Sequence, residues 1–276
     1  MPHQGQAGIC FDSGGHRLLG TLFLARGDRP KPTAVILHGI PGIEKNYDLA
    51  HVLRDRGWNS LIFHYRGCWG SEGDYVLRTI PDDVRAALDD LSSGRYPQVD
   101  PARLVLVGHS LGGWAAVLAA AADPRVQAVA AYGAVTDPRQ FPFTSADAAA
   151  EFTPWLQGLT PGDFFDQWHA LDAAYVPVEQ VARLALRPLL VVHGHADEVV
   201  PVAQAEALFA RADDPRTLVI HPEANHSFTW HRPWLRDQIL GWLDGLGLAD
   251  VGGESPRLLS YKAPGGTQSA ATLDHR

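Results

Sequence analysis

Residues 105–117 read VLVGHSLGGWAAV. An apolar run ends at Gly108, and a pattern of small residues that is typical of a helix begins near Leu111. Ser110 lies between them, flanked at two positions on either side by Gly108 and Gly112. A tight turn from a strand into a helix brings the backbone and its neighbours so close that the flanking positions tolerate little besides glycine. The stretch therefore predicts a serine hydroxyl held above a sheet edge, facing the free N–H groups of a helix start.

The rest of the chain alternates apolar strand patterns with amphipathic helix patterns. Apolar strands without polar alternation, separated by helices, are typical of a mostly parallel, twisted sheet covered by helices on both faces. We therefore predict an α/β fold. The predicted strands are 16–25, 33–39, 59–65, 103–109, 126–133, 187–194 and 216–221, and the predicted helices are 47–57, 82–93, 111–122, 202–211 and 233–246.

Two segments interrupt this alternation. Residues 136–186 form a long connection rich in Phe and Trp, which predicts a short helical cap inserted into a domain of residues 1–249. Residues 250–276 are rich in Gly, Ser, Thr and Pro, which predicts a flexible tail. The aromatic side chains of the cap either pack against the sheet or line a pocket. Four of them are candidates for substrate contact: Trp155, Phe164, Phe165 and Trp168.

Composition excludes several classes of protein. The chain of 276 residues is 46% hydrophobic and 20% charged, and it lacks an apolar run long enough to span a membrane. The net charge of −8, with scattered Lys and Arg, argues against a nucleic-acid partner. The first residues carry no secretory pattern, so we expect a cytoplasmic protein in which Cys10 and Cys68 are free thiols. The oligomeric state has no signature in the sequence.

A serine hydroxyl is a poor nucleophile unless a base accepts its proton and a carboxylate orients that base. Asp197 follows a predicted strand, and His226 lies in the loop after the next strand. Because one helix and one strand separate them, both should emerge at the sheet edge that carries Ser110. Glu198 is the competing carboxylate, and the competing imidazoles are those of His221 and His231.

Several motifs together resemble the α/β-hydrolase superfamily over residues 16–246. The motifs are HGIPG (38–42), GHSLGG (108–113), HGHADEVVP (193–201) and NHSF (225–228). The segment YRGCWGSEGDY (65–75) is similar to the branch that holds prolyl-oligopeptidase-like hydrolases and feruloyl-type carboxylesterases. This resemblance implies a serine esterase that needs no cofactor, with Ser110 as nucleophile, His226 as base and Asp197 as acid. A peptide or a thioester is the alternative substrate.

The resemblance also implies an oxyanion hole, formed by the backbone N–H of Leu111 and that of a residue after Gly39. Pro41 has no N–H to donate, so Ile40 is the expected second donor and Gly42 the alternative.

Two other functions are weighed against this one. The stretch HGHADE, with His193, His195 and Asp197, resembles the H-x-H-x-D-H zinc signature of metallo-β-lactamase-type hydrolases, but Glu198 replaces its last histidine. We therefore predict no metal. A non-catalytic binding protein of the same fold would typically lack a member of the Ser, His and Asp set, whereas this chain retains all three.

Overall fold

The computed structural model describes residues 5–140 and 144–249. They form an eight-stranded sheet with helices on both faces. The predicted tail of residues 250–276 lies outside the described residues.

The sheet is parallel except at one edge. Its spatial order is β1-β2-β4-β3-β5-β6-β7-β8, and β1 and β2 are the antiparallel members. All other neighbours pair in parallel, so the carboxyl ends of β3 to β8 meet at one edge. The strands are β1 (Gln6–Ser13), β2 (His16–Phe23), β3 (Lys31–Leu37), β4 (Asn59–Phe63), β5 (Val99–His109), β6 (Val126–Tyr132), β7 (Leu189–Gly194) and β8 (Arg216–His221).

Successive residues of a strand point to opposite faces of the sheet. Each face therefore carries its own apolar cluster, and helices cover both clusters. In β5, for example, Leu104 and Leu106 join one apolar cluster, whereas Val105 and Val107 join the other. The first cluster includes α2, α3 and α6, and the second includes α1 and α7. These helices are α1 (Tyr47–Asp55), α2 (Ile80–Ser92), α3 (Leu111–Ala122), α6 (Ala203–Arg211) and α7 (Arg232–Gly245).

The insertion between β6 and β7 is made of short helices and 3-10 turns. It contains α4 (Pro161–His169) and α5 (Pro177–Gln180). Thr160 begins α4 with a capping box, in which its hydroxyl and the Asp163 carboxylate each accept a hydrogen bond from the other residue's backbone N–H. The insertion is joined to the loop after β4 by the backbone of Gln157, which donates to Gly67 and accepts from Tyr75 at 2.8 and 2.9 Å.

The predicted fold class is confirmed, and each predicted strand and helix is present with small shifts at its ends. The sequence analysis missed β1, the antiparallel edge strand. Within the described ranges, no helix combines the length and apolar character that crossing a bilayer would require.

Candidate active site

Ser110 occupies the sharp turn between β5 and α3. Its φ of 55° is in the left-handed region, where a residue other than glycine is strained. A Cβ at Gly108 would collide with the backbone of Gly112. A Cβ at Gly112 would collide with the backbone carbonyls of Leu37 and His38 at the end of β3. The two glycines therefore allow the turn to press against the neighbouring strand, as the sequence predicts.

Two backbone N–H groups near the Ser110 turn have no acceptor among the described residues. Leu111 is the first residue of α3, and Ile40 lies in the loop after β3. This loop passes directly over Ser110, because a Cβ at Gly39 would lie 2.9 Å from the serine Cβ. Among the described residues, no carbonyl accepts a hydrogen bond from either N–H. Their role as oxyanion donors stays a prediction.

Asp197 and His226 form the hydrogen-bonded pair that their positions after β7 and β8 predict. His226 Nδ1 donates to Asp197 Oδ2 at 2.8 Å. The other carboxylate oxygen, Oδ1, accepts from the backbone N–H groups of Val199 and Val200 at 2.9 and 2.8 Å. Because the Nδ1 proton is held by the carboxylate, Nε2 of His226 is left as the acceptor. Glu198 and His221 are not part of this pair.

A second histidine contacts the same carboxylate. His193 is fully buried, and its Nε2 lies 3.2 Å from Asp197 Oδ2 and 2.9 Å from the carbonyl of Val200. Burial alone would raise the pKa of Asp197, but the hydrogen bonds from His193 and His226 outweigh burial. The pKa of Asp197 therefore lies well below its ordinary value, and the carboxylate stays ionised.

His109 fixes the loop that carries His226. Its Nε2 donates to the backbone carbonyl of His226 at 3.0 Å, and its ring stacks on Tyr132 with centroids 5.0 Å apart. Burial, reinforced by the nearby His226, lowers the pKa of His109 to about 3. The ring of His109 is therefore neutral at physiological pH. No sequence motif predicts a role for His109 or the contact between His193 and Asp197.

His226 lies close to the strand end that carries Ser110. Its ring centroid is 4.9 Å from that of His109, the residue that precedes Ser110. Its Nδ1 would lie 3.4 Å from a Cβ at Gly133, at the end of the adjacent strand β6. Among the hydrogen bonds of the described residues, none joins the serine hydroxyl to the His226 ring. In unliganded enzymes such contacts are often long and shorten only when substrate binds.

The four aromatic candidates of the insertion separate into two groups. Phe164 and Trp168 are buried, and the Trp168 indole N–H donates to the Pro138 carbonyl at 2.9 Å. These two rings pack in the apolar core of the insertion, and their contact with substrate stays a prediction. Trp155, by contrast, is 52% exposed and stacks on Trp69 with centroids 5.7 Å apart.

Phe165 is partly buried and packs on the His169 ring, with centroids 4.1 Å apart. Its contact with substrate stays a prediction.

His38, which precedes Gly39, is buried in a neutral form. Its Nδ1 donates to the Gly39 carbonyl at 2.8 Å. Burial lowers the pKa of His38 to about 4, despite the opposing effect of that hydrogen bond. The residue therefore shapes the loop and carries no charge beside Ser110. Over residues 5–140 and 144–249, no group of three or more His, Cys, Asp or Glu side chains is arranged to hold a metal ion.

The model of the prolyl oligopeptidase family matches residues 48–246. The chain belongs to this family of α/β-hydrolases. It is 31% identical over 215 residues to the uncharacterized protein Rv2307c of Mycobacterium tuberculosis. The aligned region covers 77% of this chain and 69% of Rv2307c. It is 28% identical over 200 residues to the uncharacterized protein YfhR of Escherichia coli O157:H7, which covers 72% of this chain and 64% of YfhR. The chain therefore spans about two thirds of the length of these curated relatives.

A solved structure shares the fold at lower identity. Est1E from Butyrivibrio proteoclasticus, solved with ferulic acid bound, superposes with a TM-score of 0.68 at 20% identity. The superposition covers 86% of this chain and 98% of Est1E. The fold is thus that of an α/β-hydrolase.

Proposed function

We propose that this chain is a serine hydrolase that cleaves a carboxylic ester through an acyl-enzyme. The observation that carries the proposal is the 2.8 Å hydrogen bond between Asp197 and His226, at the sheet edge where Ser110 occupies a strained turn. A carboxylate that holds Nδ1–H of an imidazole leaves Nε2 free to act as a base. The family match supports hydrolysis as the reaction class.

In the proposed reaction Ser110 Oγ attacks the ester carbonyl while His226 Nε2 accepts the hydroxyl proton. The backbone N–H groups of Leu111 and Ile40 stabilise the oxyanion, each contributing about 3 kcal/mol to the lowering of the barrier. The tetrahedral intermediate then expels the alcohol, which takes the proton from His226. Water attacks the acyl-enzyme by the same steps, releases the acid and restores Ser110.

An ester is the proposed substrate because the segment 65–75 resembles that of feruloyl-type esterases, and Est1E shares the fold. The exposed Trp155 and the neighbouring Trp69 supply an apolar surface on which such a substrate packs. Peptide hydrolysis is the second candidate, and the prolyl oligopeptidase family match favours it. We place the protein in the cytoplasm, in agreement with its two free cysteines.

The nucleophile is tested with Ser110→Ala, using a 4-nitrophenyl ester and a fluorophosphonate probe. We expect kcat to fall by about 10,000-fold or more and labelling to disappear, while the far-UV spectrum is unchanged. Ser145→Ala, at an exposed serine of the insertion, is the matched control and should keep both activity and labelling. Persistent labelling of the Ser110→Ala protein would disprove the assignment.

The substrate class is tested by comparing kcat/KM for a 4-nitrophenyl ester, an acyl thioester and an aminoacyl 4-nitroanilide. We expect the ester to give the highest value. A higher value for the nitroanilide would replace the esterase proposal with the peptidase one.

A further inference from the structure

Lys45 places a positive charge at the loop that carries the proposed oxyanion donor Ile40. The side chain is half-buried, and its Nζ lies 3.6 Å from the centroid of the Trp69 ring. Among the described residues, no carboxylate oxygen lies within 4.0 Å of Nζ. Burial lowers the pKa of Lys45, and the opposing effects of Cys68 and Glu44 are smaller.

The Trp69 ring that supports Lys45 is fixed to the same loop. Its indole N–H donates to the carbonyl of Pro41 at 2.7 Å. Gly42 is wedged between His38 and Trp69, since a Cβ there would lie 2.7 Å from the imidazole and 2.8 Å from the indole nitrogen. The Trp69 ring therefore links the Lys45 ammonium to Pro41, the residue that follows Ile40.

Among the described residues, no group around Lys45 forms an ion pair with its ammonium. His38 and His64 have pKa values lowered to about 4 and about 3, chiefly by burial and with a contribution from Lys45 itself. Each of these two neutral rings has a buried nitrogen without a partner in the described part of the chain. The negative charge of Glu44 favours the ammonium, but its carboxylate is engaged with the backbone N–H of Asn46 at 2.8 Å. A negatively charged ligand would therefore pair with the Lys45 ammonium.

Apolar surface lies beside the cation. Trp155 stacks on Trp69 and is half-exposed, and Ile43 is 62% exposed on the loop itself. A ligand that fits here has an apolar body that packs on these side chains and a negative charge that reaches Lys45.

We propose that Lys45 selects esters that bear a carboxylate a few atoms from the ester carbonyl. This inference rests on the proposed function, because it assigns the substrate class of the same site. Lys45 would pair with the carboxylate while the ester carbonyl occupies the space next to Ser110 and Ile40. Pairing with the carboxylate also offsets the cost of the half-buried charge.

The test compares two pairs of esters that differ in charge. For the acyl side the pair is 4-nitrophenyl hydrogen glutarate and 4-nitrophenyl pentanoate, and for the alcohol side it is 4-acetoxybenzoate and its methyl ester. For each pair we form the ratio of kcat/KM for the anionic ester to that for the neutral ester. We expect Lys45→Met to lower this ratio by about tenfold or more in one pair, and Lys45→Arg to keep it within about threefold.

Lys31→Met is the matched control, because Lys31 lies at the opposite end of β3 and its loss should leave both ratios unchanged. The pair that responds identifies the side of the ester that carries the carboxylate. Ratios that stay the same in Lys45→Met for both pairs would overturn the proposal.

A binding measurement separates this proposal from the proposed reaction. Titration calorimetry of the glutarate ester and 4-acetoxybenzoate with Ser110→Ala and with Ser110→Ala/Lys45→Met gives dissociation constants without turnover. We expect the second substitution to weaken one of them by about tenfold. Turnover by Ser110→Ala would refute the serine mechanism alone, whereas equal affinities, or no binding of either ester, would refute the role of Lys45.

Discussion

His193 Nε2 lies 3.2 Å from Asp197 Oδ2, the same oxygen that accepts the hydrogen bond of His226. His193 is buried at the end of β7, and its Nε2 also contacts the Val200 carbonyl, so burial and two acceptors constrain its ring. Together with the backbone N–H groups of Val199 and Val200, it holds both oxygens of Asp197 in place. His193 is therefore a positioning residue for the proposed catalytic pair.

The role of His193 is tested with two amide substitutions of similar polarity. In His193→Gln the amide nitrogen lies near the position of Nε2, whereas in His193→Asn it lies near Nδ1 and cannot reach Asp197. We expect His193→Asn to lower kcat by about 100-fold with little change in KM, since orientation and not substrate binding is lost. The Gln variant should recover most of kcat. Equal losses in the two variants would indicate a packing role only.

Gly112 is required by the close approach of the Ser110 turn to β3. In Gly112→Ala the new methyl group would collide with the backbone carbonyls of Leu37 and His38, which cannot rotate away. We expect the free energy of unfolding to fall by about 3 kcal/mol in urea denaturation. Gly241→Ala in α7 is the control, because a Cβ there meets nothing within 4 Å. It should raise stability by about 0.5 kcal/mol, and an unchanged stability of Gly112→Ala would contradict the observed packing.

Acid should destabilise the protein through three neutral histidines, of which two are buried and His64 is partly buried. Burial lowers the pKa of His38 to about 4 and those of His64 and His109 to about 3, from an ordinary value of 6.5. At a pH between the lowered pKa of each folded histidine and 6.5, the unfolded chain binds protons that the folded chain does not. Stability is thus complete above pH 6.5 and falls as the pH decreases, by up to roughly 1.4 kcal/mol per pH unit for each histidine.

Urea denaturation from pH 7.5 to 4.5 measures this dependence. His64→Phe removes one of the three groups and should flatten the curve by about a third if the three contribute equally. A free energy of unfolding that is constant over this range would contradict the assignment of these histidines as neutral.

The sequence predicts those features that depend on local pattern. The Ser110 turn needs glycines at fixed spacing, and Asp197 and His226 follow strands whose apolar runs are continuous. Because parallel strands place their carboxyl ends at one edge, the order of elements was enough to bring the three residues to that edge. The antiparallel strand β1 was missed although Ala7, Ile9 and Phe11 recur at every second position, which is the spacing of a half-buried strand.

Contacts between residues that are far apart in the chain leave no pattern in the sequence. Phe164 and Trp155 are both aromatic residues of one insertion, yet only packing determines that the first is buried and the second is exposed. His193 is one residue among 13 histidines, and its contact with Asp197 depends on the path of the loop after β7. The position of Lys45 over Trp69 joins two loops that no periodicity relates.

Arg232, the first residue of α7, joins this helix to the start of α1, and α7 follows the loop that carries His226. Its guanidinium donates to both carboxylate oxygens of Asp48, at 2.6 and 3.1 Å, and to the Asn46 side chain at 2.9 Å. The same two helices are joined at their other ends by Arg56 and Asp244, at 2.8 Å. The first pair is 17% and 34% exposed and the second is 53% and 49% exposed, so solvent screens the second pair more strongly.

The two pairs are compared by double-mutant cycles on the free energy of unfolding. We expect a coupling of about 2 kcal/mol between Arg232→Gln and Asp48→Asn, because the ion pair is bidentate and largely shielded from solvent. The coupling between Arg56→Gln and Asp244→Asn should be within about 0.5 kcal/mol of zero. The Arg232→Gln protein should also lose kcat, since α7 begins just after the loop of His226. Equal couplings in the two cycles, with unchanged kcat in Arg232→Gln, would show that this contact does not position the loop of the proposed base.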